Sequence, residues 1–213
     1  ILGLTMALGF SGCQSENQKN QDAYRKIGIN SMAEGDYDKA VKSFQKALDT
    51  SLGKIGAEEI DICYYKAAAQ FAKKDYDGAI ETYTSLIDYD KENANAYYLR
   101  GSVYLDTDKK DKAFKDYKNA VKYAGREYEI YEGIYENLTN KGETEEAKNY
   151  LKKALDIKPK DGADYAEQGH VYYLLEDYTQ AKSSLDRAID KDDKTALLYL
   201  AEVYNATDQQ EQG

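Results

Sequence analysis

The stretch from Tyr24 to Leu48 reads YRKIGINSMAEGDYDKAVKSFQKAL, and it decides the fold. Tyr24, Ile27, Gly28 and Ser31 recur at helical spacing, Glu34-Gly35-Asp36-Tyr37 has turn composition, and Ala40, Val41, Phe44, Ala47 and Leu48 form a second apolar stripe. The spacing predicts two antiparallel helices whose crossing is made by the small residues Gly28 and Ala40, with Tyr37 covering the turn. The pattern then returns. Ala40, Ala79, Ala113, Ala147 and Ala181 stand 39, 34, 34 and 34 residues apart, and Ala47, Leu86, Ala120, Ala154 and Ala188 keep the same spacing seven positions later. Self-similarity at a period near 34 predicts a repeat array, which grows by addition and needs no single large core.

Later units carry the same features with variation. Ala67 pairs with Ala79, Gly101 with Ala113, and Gly169 with Ala181, while Lys74-Asp75-Tyr76 and Glu176-Asp177-Tyr178 repeat the turn. Pro159 follows a helix expected to end near Ile157. This pattern resembles the tetratricopeptide repeat, a helix pair with small residues at its crossing, an aromatic near its turn and an occasional closing proline. The resemblance covers about residues 21–208 and implies an all-α, right-handed superhelix (an α-solenoid) of five helix pairs plus one further helix. The expected repeats are about 21–54, 55–93, 94–127, 128–161 and 162–193, with a partial unit over 194–213.

Three departures stand out. Five extra residues near Thr50-Ser51-Leu52-Gly53-Lys54-Ile55-Gly56 predict a longer loop or a backward extension of the next helix. Tyr135 stands where a small crossing residue belongs and is expected to push its helix pair apart. Ala201 follows Gly169 by only 32 positions, and Leu198, Tyr199 and Val203 are expected to be exposed there, by imperfect capping or because more protein follows.

Composition narrows the function. Of 213 residues, 22 are Tyr, none is Trp and four are Phe; a Tyr covers apolar surface while its hydroxyl stays wet, which suits thin layers. The formal charge of −10 argues against a nucleic acid partner, since phosphate backbones need a positive surface. The two cysteines do not form a disulfide framework. Cys63 occupies the position of Tyr24, Tyr97, Tyr131 and Tyr165, and reads as a small buried hydrophobe.

Residues 1–10 form an apolar run too short to span a bilayer, which takes roughly 20 residues. It suits the core of a secretory signal. Gly9-Phe10-Ser11-Gly12-Cys13 resembles a bacterial lipobox, with Phe10 where Leu is usual. That resemblance implies a signal over 1–12 cleaved before Cys13, lipidation of Cys13, and an extracytoplasmic, membrane-anchored protein. Residues 13–20 are polar and aperiodic, as expected of a lipid-anchored tether, leaving 21–213 to the repeats.

In tetratricopeptide arrays the first helix of each unit lines the concave wall where partners bind. Carried over residue by residue, the resemblance implies a wall of Arg25, Ile29 and Met32, then Tyr64, Ala68 and Phe71, then Tyr98, Ser102 and Leu105, then Glu132, Glu136 and Thr139, then Ala166, His170 and Tyr173, and last Leu198, Glu202 and Asn205. The wall is apolar and aromatic in its first half and acidic near Glu132, Glu136 and Glu129. A fitting partner is a protein or peptide with bulky apolar anchors and a basic flank. The basic clamp that grips a C-terminal carboxylate in chaperone-binding members is mostly missing. Lys112, Lys115, Lys118 and Lys122, with Lys148 and Lys152, read as a solvated helix face.

No catalytic site is read from the chain. His170 is the sole histidine and cannot build a multi-His metal site, Asp106-Thr107-Asp108 lacks the Gly and closing Glu of a calcium loop, and there is no phosphate-binding Gly-rich loop or nucleophile motif. No metal or cofactor is therefore expected. The expected function is a membrane-anchored adaptor for envelope assembly or regulation. The alternatives are the tethering or sensing part of a longer protein with an enzymatic or signalling domain after residue 213, or a structural protein that self-associates through its C-terminal end.

Overall fold

The computed structural model describes residues 16–51, 53 and 55–212. Cys13 and the expected signal lie outside the described residues. Eleven α-helices and no strands occur among them: α1 (Glu16–Ala33), α2 (Tyr37–Thr50), α3 (Ala57–Ala72), α4 (Tyr76–Tyr89), α5 (Ala94–Asp106), α6 (Lys110–Tyr123), α7 (Tyr128–Asn140), α8 (Thr144–Ala154), α9 (Gly162–Leu174), α10 (Tyr178–Ile189) and α11 (Ala196–Gln212). Contacts gather them into two compact units, one ending at Tyr89 and the other starting at Asp90.

The periodic residues do the packing. All five alanines from Ala40 to Ala181 are fully buried. Opposite them runs a large-residue series with the same spacing, Phe44, Tyr83, Tyr117, Leu151 and Leu185, each buried. The small residue of the first helix makes room for it. A Cβ on Gly28 would stand 2.5 Å from Phe44 Cε1, one on Gly101 2.8 Å from Tyr117 Cδ1, and one on Gly169 2.6 Å from Leu185 Cγ. Such distances leave no space for a side chain, so glycine sets how closely the two helices approach.

The turns are equally periodic. Gly35, Lys74, Asp108, Gly142 and Glu176 all have positive φ, from 56° to 80°, and they share the spacing of the alanines. Each ends a first helix in the left-handed conformation, and the next amide returns to the last turn, as Asp36 N–H does to Ser31 O at 2.9 Å and Asp177 N–H to Tyr172 O at 2.9 Å. Aspartates then start the second helices: Asp36 accepts from Lys39 N at 3.0 Å, and Asp177 from Gln180 N at 3.1 Å.

Several expectations change. Glu16–Asn20, read as tether, are the first residues of α1. Their Glu, Gln and Lys side chains suit an exposed helix, Glu16 complements the helix N-terminus, and Gln21 anchors the turn by donating to Glu59 at 2.7 Å. The five-residue excess is shared: α3 starts six positions before Cys63, whereas α5 starts three before Tyr97, and the rest is linker. Helix α8 ends at Ala154, and i→i−3 bonds carry the chain on to Ile157 before Pro159. Tyr135 turns toward the next repeat, its hydroxyl 3.5 Å from Leu174 O, while Leu151 stays fully buried. Of the end residues, Leu198 is 69% exposed, but Val203 is buried and Tyr199 half-buried, because α11 lies against α9 and α10.

Candidate partner-binding face

In the first unit α1 and α3 meet side by side. Arg25 forms an ion pair with Asp61 and lies over the Tyr65 ring, 5.4 Å from its centroid, so it bridges the two helices. Ile29 and Met32 are half-buried against the Ala40–Phe44–Ile62 core. Tyr64 is tilted against Tyr83 of α4 and Phe71 is edge-on to Tyr76, both at the seam of their own helix pair. The first-unit part of the expected wall is therefore committed mostly to packing. An apolar pocket of about 260 Å³ lies elsewhere in this unit, lined by Leu48, Ile55, Ile60, Cys63, Leu86 and Tyr89. Cys63 is half-buried rather than buried, and burial pushes its thiol up, away from the reactive thiolate.

In the second unit α5, α7, α9 and α11 touch in sequence through side chains. Tyr98 of α5 lies on Gly133 of α7, where any Cβ would collide with its phenol. Asn137 Nδ2 donates to Ser102 Oγ at 2.8 Å. Glu132 of α7 meets His170 of α9 with Oε1 2.9 Å from Nδ1, and the imidazole N–H donates to the carboxylate. His170 in turn stacks on Tyr199 of α11, centroids 4.3 Å apart, and lies 6.1 Å from the near-parallel ring of Tyr173. Leu105 is a correction. It is 5% exposed inside the core that α5 shares with its neighbours and offers no surface to a partner, and Ala166 is likewise fully buried. Glu136 is exposed, close enough to Tyr98 to act on its phenol.

The field at this end is strongly negative. Burial and the charges of Glu132, Glu129 and Asp193 raise Glu167 to about 7, against a smaller lowering by His170. Burial alone pushes His170 down, but the Glu132 hydrogen bond and the fields of Glu132, Glu167 and Glu202 outweigh it, and the imidazole is raised. Burial, then Glu167 and Glu132, lift Tyr199 to about 12, so its phenol stays neutral. An open cleft beside them is lined by His170, Tyr173, Glu202, Asn205 and Ala206.

The structure thus brings together Glu132, His170, Tyr173 and Glu202 of the expected wall and adds Glu167 and Tyr199. Glu167 had a signal: it precedes His170 by three positions on α9, which places both on one helix face. The atoms of Glu132, Glu167 and His170 that could ligate a metal lie within 4.8 Å of one another. Of the outward lysines, Lys112 lies over Tyr104 at 5.4 Å and Lys148 pairs with Glu176 at 3.1 Å, as on a solvated face.

Helix pairs in register, small-on-large crossings and repeated left-handed turns define an all-α array of the α-solenoid class. The repeats are tetratricopeptide repeats. Matches described as "Tetratricopeptide repeat" cover residues 22–51, 94–126 and 136–161, and another covers 166–211; one described as "TPR repeat" covers 67–108. The chain is similar to anaphase-promoting complex subunit 3 of Schizosaccharomyces pombe, 21% identical over 88% of this chain and 33% of that protein. It is also similar to human tetratricopeptide repeat protein 13, 27% identical over 67% of this chain and 17% of that protein. The chain thus spans a third or less of these relatives. Among solved structures it resembles MamA (TM-score 0.50, 22% identity, 84% of this chain and 94% of that one). It also resembles TTC0263 of Thermus thermophilus (0.51, 17%, 86% and 98%) and pilF of Pseudomonas aeruginosa (0.51, 18%, 90% and 87%). At these identities the likeness concerns the fold.

Proposed function

We propose that this chain is a lipid-anchored, extracytoplasmic adaptor that holds a protein or peptide partner on the first-helix face of its repeats, in assembly or regulation of a bacterial cell envelope. It acts by binding, not by catalysis. The observation that carries the binding reading is the second-unit face, where Tyr98, Tyr173 and Tyr199 lie beside Glu129, Glu132, Glu136, Glu167 and Glu202. Aromatic rings offer a partner rigid apolar area, and the carboxylates select a basic flank and speed its encounter. Glu129 and Glu136 are exposed, so the Glu129→Lys/Glu136→Lys double variant reverses that charge without touching the packing. Capture of a partner from native membranes should fall at least tenfold; unchanged capture would remove the face from the account.

The anchor and the address rest on the Gly9–Cys13 pattern. Labelled fatty acid should enter the protein and disappear with Cys13→Ser, whereas an unlabelled, soluble product would refute lipidation.

A second reading, self-association, is favoured by α11. Its Leu197, Leu198 and Tyr204 are 55%, 69% and 45% exposed, and stacking on another copy would cover them. Sedimentation showing a concentration-independent monomer would exclude it.

A further inference from the structure

We propose that Glu132, Glu167 and His170 bind a first-row divalent cation of the Zn²⁺ class. This site does not depend on the partner-binding reading. Three observations carry it. The first is geometric: one carboxylate oxygen from each glutamate and one imidazole nitrogen lie within 4.8 Å of one another, and Oε1 of Glu132 is already 2.9 Å from Nδ1 of His170. A cation about 2.0–2.2 Å from each ligand needs ligand atoms roughly 3–3.5 Å apart. Small rotations of the glutamates reach that spacing without moving the backbone.

The second is how the ligands are held. Glu167 and His170 stand three apart on α9, which points both the same way, and Glu132 reaches them from α7. A Glu-x-x-His pair on one helix facing a glutamate on a neighbour is a donor arrangement that helical proteins use for transition metals. Gly169, between the two α9 ligands, is wedged against Leu185, and the imidazole plane is set by its stack on Tyr199. These supports hold the donors on rigid elements rather than loops.

The third is charge. Glu167 has no hydrogen-bond or ion-pair partner among the described residues, yet it faces Glu129 and Glu132 of α7 and Asp193 ahead of α11, with only His170 to oppose them; Glu202 of α11 adds its field at His170. Two carboxylates neutralise one divalent cation, and binding releases the proton that Nδ1 now donates to Glu132 together with any proton held on Glu167. An imidazole with two carboxylates suits Zn²⁺, Co²⁺ or Mn²⁺ better than Ca²⁺ or Mg²⁺, which prefer oxygen shells. Three protein ligands leave the remaining positions to water or to a partner's donor.

His170 is the only histidine, so its ring signals in a ¹H–¹⁵N spectrum report on this site without assignment by mutation. Adding Zn²⁺ to the tag-free full chain should shift the Nδ1 signal and saturate at one ion per chain, with Mg²⁺ giving no shift. Competition with a chromophoric chelator should show affinity falling roughly 10–100-fold in Glu167→Gln and in His170→Gln. Helix content, read by circular dichroism, should be unchanged, and Cys63→Ser should bind as the parent does. His170 signals that stay put at saturating Zn²⁺, or an affinity in either variant equal to the parent's, would overturn the site.

Discussion

The imidazole of His170 lies flat on the ring of Tyr199, with centroids 4.3 Å apart and planes 8° from parallel. That contact joins α9 to α11 and makes the last helix part of the acidic face. Replacing Tyr199 by Leu keeps apolar cover but removes the ring. Stability by urea titration should fall by about 1 kcal/mol, and the His170 ring protons should lose their upfield ring-current shift. An unchanged spectrum would mean that the stack is not populated.

The crossings admit no side chain. At Gly101 a Cβ would stand 2.8 Å from Tyr117 Cδ1 and 3.3 Å from the Ala113 carbonyl, so Gly101→Val should cost about 1–3 kcal/mol through overpacking. Gly142 has open space around it but a φ of +80°, so Gly142→Ala should cost about 1–2 kcal/mol through backbone strain alone. By the same logic Lys74→Gly, at a φ of 66°, should stabilise slightly. Chemical denaturation of the three variants distinguishes space from strain.

Arg100 and Asp116 form a two-pronged pair, Nε to Oδ2 at 2.7 Å and Nη2 to Oδ1 at 2.9 Å, with side chains 15% and 4% exposed. Removing only the cation, as in Arg100→Met, strands a buried carboxylate and should cost about 3–5 kcal/mol. The Arg100→Met/Asp116→Leu double variant should recover most of that loss. A double variant no better than Arg100→Met would show that the pair stabilises beyond its own desolvation.

Acid should loosen the second unit at α9. Burial would raise Asp164, but the Lys160 amide, 2.8 Å away, and the Arg126 guanidinium outweigh it and hold the carboxyl below its ordinary value of 3.8. A depressed folded value contributes stability above the unfolded one, and that contribution is lost as pH falls through the folded value, below 3.8. Thermal melts should therefore show a smaller drop from pH 5 to pH 3 in Arg126→Met than in the parent. Equal drops would assign the acid sensitivity to other carboxylates.

The scaffold was legible because its determinants recur. Ala40 and its four successors, and Gly28 with Phe44, announce one crossing five times over, so a weak local signal becomes strong by repetition. The left-handed turns were only partly visible: Gly35 and Gly142 signal them, but Lys74, Asp108 and Glu176 adopt the same conformation without glycine, and only the period reveals it. The site was harder. Glu132 and His170 were placed on the wall by register, yet Leu105 by the same register is buried, since helix rotation decides which side of a stripe faces out. Glu202 follows the wall register and Glu167 shares the His170 face of α9, but Tyr199 joins the site through packing between α9 and α11, which one helix's periodicity does not encode.

In the proposed function the second-unit face selects a partner by aromatic anchoring and negative charge. Selection of binding sequences from a random peptide display library on the purified chain, with chelator present to keep metal out, tests it most directly. Enriched peptides should carry a bulky apolar residue followed by Lys or Arg, and should lose binding to the Glu129→Lys/Glu136→Lys variant. Enrichment of acidic or featureless peptides, or equal binding to that variant, would contradict the account.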